Sequence, residues 1–356
     1  MNVVFVRKVA WMLLFSSLAS CELVTGTPNV ITSDKCTENP VIVSWQKLAD
    51  SSDFRPRDSA GEYWFNNKIW IMGGWEDSFS PNPRDVWSFT RDSGWKLEAA
   101  AAPWTHGDLS GAIVHANRMW LLGGWANGRL ANASASNEVW SSSDGTNWTR
   151  HPTPGWEPRL GLSAASKDGK IWITGGTTSY YHGTPQSLRN DVWMSNDGGA
   201  WINVAIEAPW SRRAYHTAIV HEGNLVLMGG GNYTPTYFAL NDVWSTEDGY
   251  RWKLLTSNAE WSPRIWFSAV SYRGYIWLIG GWSSDPYHNY NDVWYSRTGK
   301  SWALYKSNSE WSPRHEHSVV VSKDSLILIA GFDGRVRSDV WSLYLPDDWV
   351  GSCDAN

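Results

Sequence analysis

Five arginines stand at one recurring position of this chain: Arg57, Arg159, Arg213, Arg264 and Arg314. Aligned on a glycine pair further along each copy, a sixth segment puts Gly107 there instead. Guanidinium groups ringing a mouth would favour an anion, which they grip through paired N–H donors. Aromatic residues accompany them. Trp75, Trp125 and Trp282 follow directly on glycine pairs, Phe332 follows Ala330-Gly331, and Tyr180, Tyr181, Tyr233, Tyr237, Tyr287 and Tyr290 lie in the variable stretches beyond. Aromatic faces beside cations suit a sugar ring or an extended peptide. The five arginines with Trp75, Trp125, Trp282 and Phe332 are therefore the candidate ligand-binding set. The densest titratable cluster is His315-Glu316-His317. Strand alternation would send both histidines to one side and Glu316 to the other, so no metal site is expected there. His106 and Asp108 form a second, sparser group. No Ser-His-Asp spacing, phosphate loop or nucleotide motif stands out. No catalytic residue is assigned, and no metal or cofactor is expected.

The elements that position these residues repeat with a period near 50 residues. An apolar run ends in Gly73-Gly74, Gly123-Gly124, Gly175-Gly176, Gly229-Gly230, Gly280-Gly281 or the degenerate Ala330-Gly331. A variable stretch, Asp-Val-Trp, a turn and a lone Trp follow. Such a period with glycine and aromatic punctuation predicts a radial all-β repeat. Each unit divides into four short strands. In the fifth unit these are Phe267 to Tyr272, Tyr275 to Ile279, Asp292 to Ser296 and Trp302 to Tyr305. Asp-Gly or Thr-Gly between the last two supplies the positive φ of a tight hairpin. Most of the 28 tryptophans sit at fixed repeat positions, as wedges between sheets. The last unit lacks its fourth strand, and residues 41–48 match it, with Trp45 equivalent to Trp95, Trp148, Trp201, Trp252 and Trp302. The N-terminal strand is thus expected to complete the sixth blade and leave no inner edge open. Long second-to-third-strand segments share a face with the arginine-bearing connections, and long loops on a rigid scaffold are where function concentrates.

The glycine pair, the Val-Trp, the lone Trp and the Pro-Arg of Pro56-Arg57, Pro158-Arg159, Pro263-Arg264 and Pro313-Arg314 resemble the kelch repeat over residues 41–345. The resemblance implies a six-bladed β-propeller. It also implies a scaffold role open to each Arg, as a donor to carbonyls between blades, and to His216 and His317, three residues after it. Ser142 to Trp148 looks similar to the Asp-box of sialidase-like propellers but is one residue short of it. Kelch propellers include pure binding modules and sugar-active enzymes such as sialic-acid mutarotases. The leading expectation is a binding module for a glycan, peptide or protein partner on the loop face. The alternative is a mutarotase or epimerase acting on an acidic sugar.

Arg7 and Lys8 precede an apolar run, Val9 to Leu18, too short to span a bilayer. Leu18-Ala19-Ser20-Cys21 resembles the lipobox of bacterial lipoproteins, which implies lipidation at Cys21. The expected organisation is a signal peptide over 1–20, a lipidated tether over 21–40, the propeller over 41–353 and a short tail over 354–356. Glu22, in place of Asp, points to the outer membrane. Cys36 and Cys353 bracket the repeats and are expected to pair in an oxidising compartment. Net charge is −5, so no basic surface recruits nucleic acid, and a monomer held to the membrane only by its lipid is expected.

Overall fold

The computed structural model describes residues 36–77, 80–128, 130, 132–181 and 184–355. The expected signal peptide, Cys21 and most of the tether lie outside the described residues. Six four-stranded antiparallel sheets radiate from a central channel. The first blade runs Gly61–Phe65, Lys68–Met72, Val86–Thr90 and Gly94–Ala99. The innermost strands are Gly61–Phe65, Gly111–His115, Ser163–Lys167, Thr217–His221, Ser268–Tyr272 and Ser318–Val321. Each touches the next, and the last touches the first.

The second strands are continuous apolar runs because both their faces are covered by neighbouring blades. Lys-Ile-Trp-Ile-Met at Lys68–Met72 is buried from Ile69 onward. The indoles of Trp70, Trp120, Trp172 and Trp277 donate to the carbonyls of Phe65, His115, Lys167 and Tyr272, five residues earlier, and brace the inner hairpin. Their rings support the next blade. A Cβ on Gly145 or Gly198 would fall 2.3 or 2.2 Å from Trp70 or Trp120, so these turn glycines serve close approach as well as positive φ.

The glycine pairs have an equally specific cause. The second glycine of each pair donates its N–H to the carbonyl at the Arg position of the next blade. These bonds run from Gly74 to Gly107, Gly124 to Arg159, Gly176 to Arg213, Gly230 to Arg264, Gly281 to Arg314 and Gly331 to Arg57, at 2.8–3.1 Å. They form a closed belt. A Cβ on Gly73 would lie 2.6 Å from the Gly107 oxygen, and one on Gly123 2.7 Å from that of Arg159.

The sixth blade is closed by the N-terminal segment, with Gln46–Ala49 paired to Val336–Tyr344. This strand is shorter than the 41–48 expected and begins just after Trp45. Residues 41–45 bind fifth-blade and C-terminal side chains instead. Val43 exchanges two hydrogen bonds with the Tyr305 hydroxyl, and Trp45 N–H donates to Glu310. Trp45 nonetheless packs as its counterparts do, edge-on to Trp311 at 6.1 Å, as Trp148 does to Trp104 and Trp302 to Trp261. Cys36 and Cys353 are disulfide-bonded, and Thr37 pairs alongside Ser352.

Candidate functional site

The five arginines do not form an open cationic ring. Arg57, Arg159, Arg213, Arg264 and Arg314 are all buried, at 0–1 % exposure. Each makes a bidentate pair with the aspartate of its own blade's Asp-Val-Trp: Asp85, Asp191, Asp242, Asp292 and, in the last blade, Asp339. Each also donates to the carbonyl of the first glycine-pair residue, at 2.7–3.0 Å. The same aspartates accept from the indoles of Trp87, Trp193, Trp244, Trp294 and Trp341. The guanidinium donors are thus consumed inside the blade, and this corrects the expectation of an anion-binding face. The second blade, with Gly107 for the Arg, has Glu138 for the Asp, and Glu138 pairs instead with Arg150 at 2.9 Å.

What the arginines position is the chain that follows them. The next residue in each blade bridges to the residue after the glycine pair. Asp58 meets Trp75, Asp108 meets Trp125, Ile265 meets Trp282 and His315 meets Phe332. The residue after that is left-handed in all six blades: Ser59, Leu109, Gly161, Tyr215, Trp266 and Glu316, with φ of 50–58°. Their backbones form a second closed belt. Ser59 N–H donates to the Glu316 carbonyl, Leu109 to Ser59, Gly161 to Leu109, Tyr215 to Gly161, Trp266 to Tyr215 and Glu316 to Trp266, at 2.8–3.3 Å. A left-handed Trp, Tyr, Leu or Glu costs about 1–2 kcal/mol per residue, which such a belt can sustain. In four blades the turn places a different side chain at the channel mouth: Ser59, Leu109, Trp266 and Glu316.

There the side chains enclose a cavity of about 160 Å³. Its wall is a nearly continuous aromatic belt. Trp125 meets Tyr180 at 6.0 Å, Tyr180 meets Tyr233 at 5.6 Å, and Tyr233 meets Trp266 at 4.8 Å. Trp266 stacks on His315 at 5.1 Å, His315 meets Phe332 at 5.4 Å, and Phe332 meets Trp75 at 6.5 Å. Trp282 packs on Trp266 and Tyr233. The four aromatic candidates read from the glycine pairs, Trp75, Trp125, Trp282 and Phe332, therefore converge on one cavity.

Three acids join them: Asp58, Asp108 and Glu316. Burial, then the charges of Glu316 and Asp108, pushes the Asp58 carboxyl well above the usual range, and burial with Glu316 does the same to Asp108. Asp108 Oδ1 and the indole N–H groups of Trp266 and Trp282 are buried with no hydrogen-bond partner among the described residues. No Lys or Arg among the described residues lines the cavity. His315 and Glu316 both reach it, with Nε2 3.3 Å from Oε2. The left-handed turn at Glu316 breaks the alternation expected of His315-Glu316-His317. His315 Nδ1 lies 2.6 Å from Asn289 Oδ1, an oxygen that can only accept, which orients the ring. His317 and His216 are buried in the scaffold, and burial lowers each to about 3. His106 hydrogen-bonds Thr105 and is not among the cavity's lining residues, unlike Asp108. Among the described residues no group of acids, histidines or cysteines could hold a metal ion.

Residues 186–349 match the family model described as the KLHDC2/KLHL20/DRC7 Kelch-repeats domain. Over those residues the chain is similar to a kelch-repeat domain. Solved structures resemble this propeller, among them that titled "Structure of YjhT". It superposes with a TM-score of 0.67 at 14 % identity, covering 84 % of this chain and 97 % of that one, a likeness that establishes the fold. No curated protein matches the chain by sequence. The residues that recur from blade to blade make the Arg–Asp pairs and the glycine belt, whereas the acids and aromatics of the mouth differ from blade to blade.

Proposed function

We propose that this kelch propeller is a binding module of the cell envelope whose mouth holds one sugar ring or a group of similar size on a larger partner. The observation that carries this reading is the aromatic-walled cavity with buried, unpartnered polar atoms in its lining, Asp108 Oδ1 and the Trp266 and Trp282 indole N–H groups. Sugar rings offer an apolar face to stack on indole and hydroxyls that both donate and accept. The carboxyl-rich floor disfavours an acidic saccharide. A mutarotase acting on an acidic sugar would need cationic groups at the mouth, and the arginines it would use are paired inside the blades. Calorimetric titration of the full chain with a panel of monosaccharides and oligosaccharides tests the reading. Trp125→Ala and Trp282→Ala should each weaken binding at least tenfold with an unchanged circular-dichroism spectrum. Unaltered affinity in both variants overturns it.

The Leu18-Ala19-Ser20-Cys21 stretch and the Cys36–Cys353 bond support export and anchoring through Cys21. Cys36 lies beyond the Tyr344 end of Val336–Tyr344, whereas Phe332 and Val336 mark the mouth end. A lipid at Cys21 would therefore attach on the side away from the mouth, leaving the cavity directed outward. Palmitate incorporation that persists in Cys21→Ala would rule the anchor out.

A further inference from the structure

We infer that the group seated in the mouth carries a substituted ammonium nitrogen, on an amino sugar or on a quaternary head, held over Asp58, Asp108 and Glu316 between indole faces. The inference rests on the mouth being the ligand site and adds the charge of what binds there.

In the five arginine-bearing blades the aspartate of each Asp-Val-Trp has a cation. Asp85, Asp191, Asp242, Asp292 and Asp339 each hold a guanidinium. At the mouth Asp58 and Asp108 have no such guanidinium, and Glu316 has only His315, with Nε2 3.3 Å from Oε2. Asp58 and Asp108 are 4 % and 5 % exposed, the Glu316 side chain is 10 % exposed, and no Lys or Arg among the described residues joins them in the lining. They come from the first, second and sixth blades, which the left-handed belt brings side by side. Asp108 Oδ1 is an acceptor with nothing to accept from among the described residues. A neutral ligand would leave these carboxyls uncompensated in a desolvated site, and an anion would oppose them. A cation satisfies both walls of the cavity at once, the carboxylates by charge and the faces of Trp75, Trp125, Trp266 and Trp282 by their quadrupoles. A bare metal ion suits the site less well, because most of its lining cannot coordinate.

The titratable groups lining the cavity are Asp58, Asp108, Glu316, His315 and the tyrosines 180, 181, 233 and 287, with Tyr215 packed against Trp266. Burial raises the Tyr180 and Tyr215 hydroxyls well above their ordinary value, so they stay neutral at any physiological pH. Asp58 and Asp108, raised by burial, are the groups that would give up protons to an arriving cation.

The test is isothermal titration of the full chain with two matched pairs: choline against its uncharged isostere 3,3-dimethylbutan-1-ol, and glucosamine against glucose. The charged member of at least one pair should bind tenfold or more tightly than its neutral partner. Its enthalpy should shift with the ionisation enthalpy of the buffer as protons are released. Asp108→Asn and Glu316→Gln, which keep side-chain volume, should erase the preference while retaining the circular-dichroism spectrum. Preference confined to choline assigns a quaternary head, and preference confined to glucosamine an amino sugar. Equal affinity within both pairs, or a preference surviving both substitutions, overturns the inference while leaving the mouth as a binding site. Failure of all four probes and of every saccharide in the panel overturns that reading with it.

Discussion

Two kinds of charge sit side by side in this chain and meet opposite fates. Arg57 is followed by Asp58, and Arg314 is followed by His315 and Glu316. The arginines turn into the blade, where every guanidinium meets a carboxylate and a carbonyl. The acids turn to the channel mouth, where Asp108 Oδ1 has no partner among the described residues. The comparison separates repetition from use. The Arg–Asp pair occurs in five blades and holds each blade's two connecting segments together. The acids occur in three blades and leave a polar need that the protein itself does not meet. Repeated charge builds the scaffold, and unrepeated charge at the same radius marks the site.

Removing one repeated charge should produce the largest effect. Arg159→Ala strands Asp191, which is buried and also accepts from Trp193. Breaking a buried pair by deleting one partner costs about 3–5 kcal/mol. Urea unfolding of the variant should show a loss of that size, and a loss under about 1 kcal/mol would mean that the pair is not structural. The next effect is remote from both sets of charges. The Cys36–Cys353 bond spans 317 residues and fastens the closing strand of the sixth blade. The double variant Cys36→Ser, Cys353→Ser should lose about 2–4 kcal/mol, with affinity at the mouth preserved in the folded fraction. A variant with native stability but impaired binding would join two regions that are held here to be separate.

The scaffold was legible because its signals recur. Glycine pairs, Asp-Val-Trp and the lone Trp gave six blades and their closure, and the observed strands differ mainly at their ends. Tyr275–Ser284 and Tyr287–Ser296 extend well beyond the core hairpin expected, since the connecting segment itself pairs. The role of the Asp in Asp-Val-Trp was present but unread. The second blade loses the Arg and the Asp together, at Gly107 and Glu138, and that joint loss is the trace of a contact. At the mouth, Trp75, Trp125, Trp282 and Phe332 could be found because the glycine pairs mark their place. Asp58 and Trp266 could not, and Glu316 was placed on the wrong side. Their convergence depends on a left-handed backbone that a run of Ser, Leu, Gly, Tyr, Trp and Glu does not announce. That conformation is imposed by the belt of bonds between blades, which is a property of closure and not of any local segment.

The smallest effect has the opposite sign to the others and bears most directly on the comparison. Burial and the neighbouring Glu316 raise the Asp108 carboxyl well above its ordinary value near 4. The folded chain therefore holds a proton that the unfolded chain releases. Folding stability contributed by this group is complete below the unfolded value and falls as pH rises through the window between the unfolded and folded values. Asp108→Asn removes that fall. At pH 4 the variant and the native chain should unfold at nearly the same urea concentration. At pH 7 the variant should be the more stable of the two. Arg159→Ala lowers stability over the same range, so the two substitutions separate in sign across one pH series. A gain at the mouth bought by losing a carboxylate is what a ligand site predicts, since an acid retained against folding stability is retained for what it binds. If Asp108→Asn instead destabilises the chain at pH 7 as strongly as at pH 4, Asp108 belongs with the arginines as part of the scaffold.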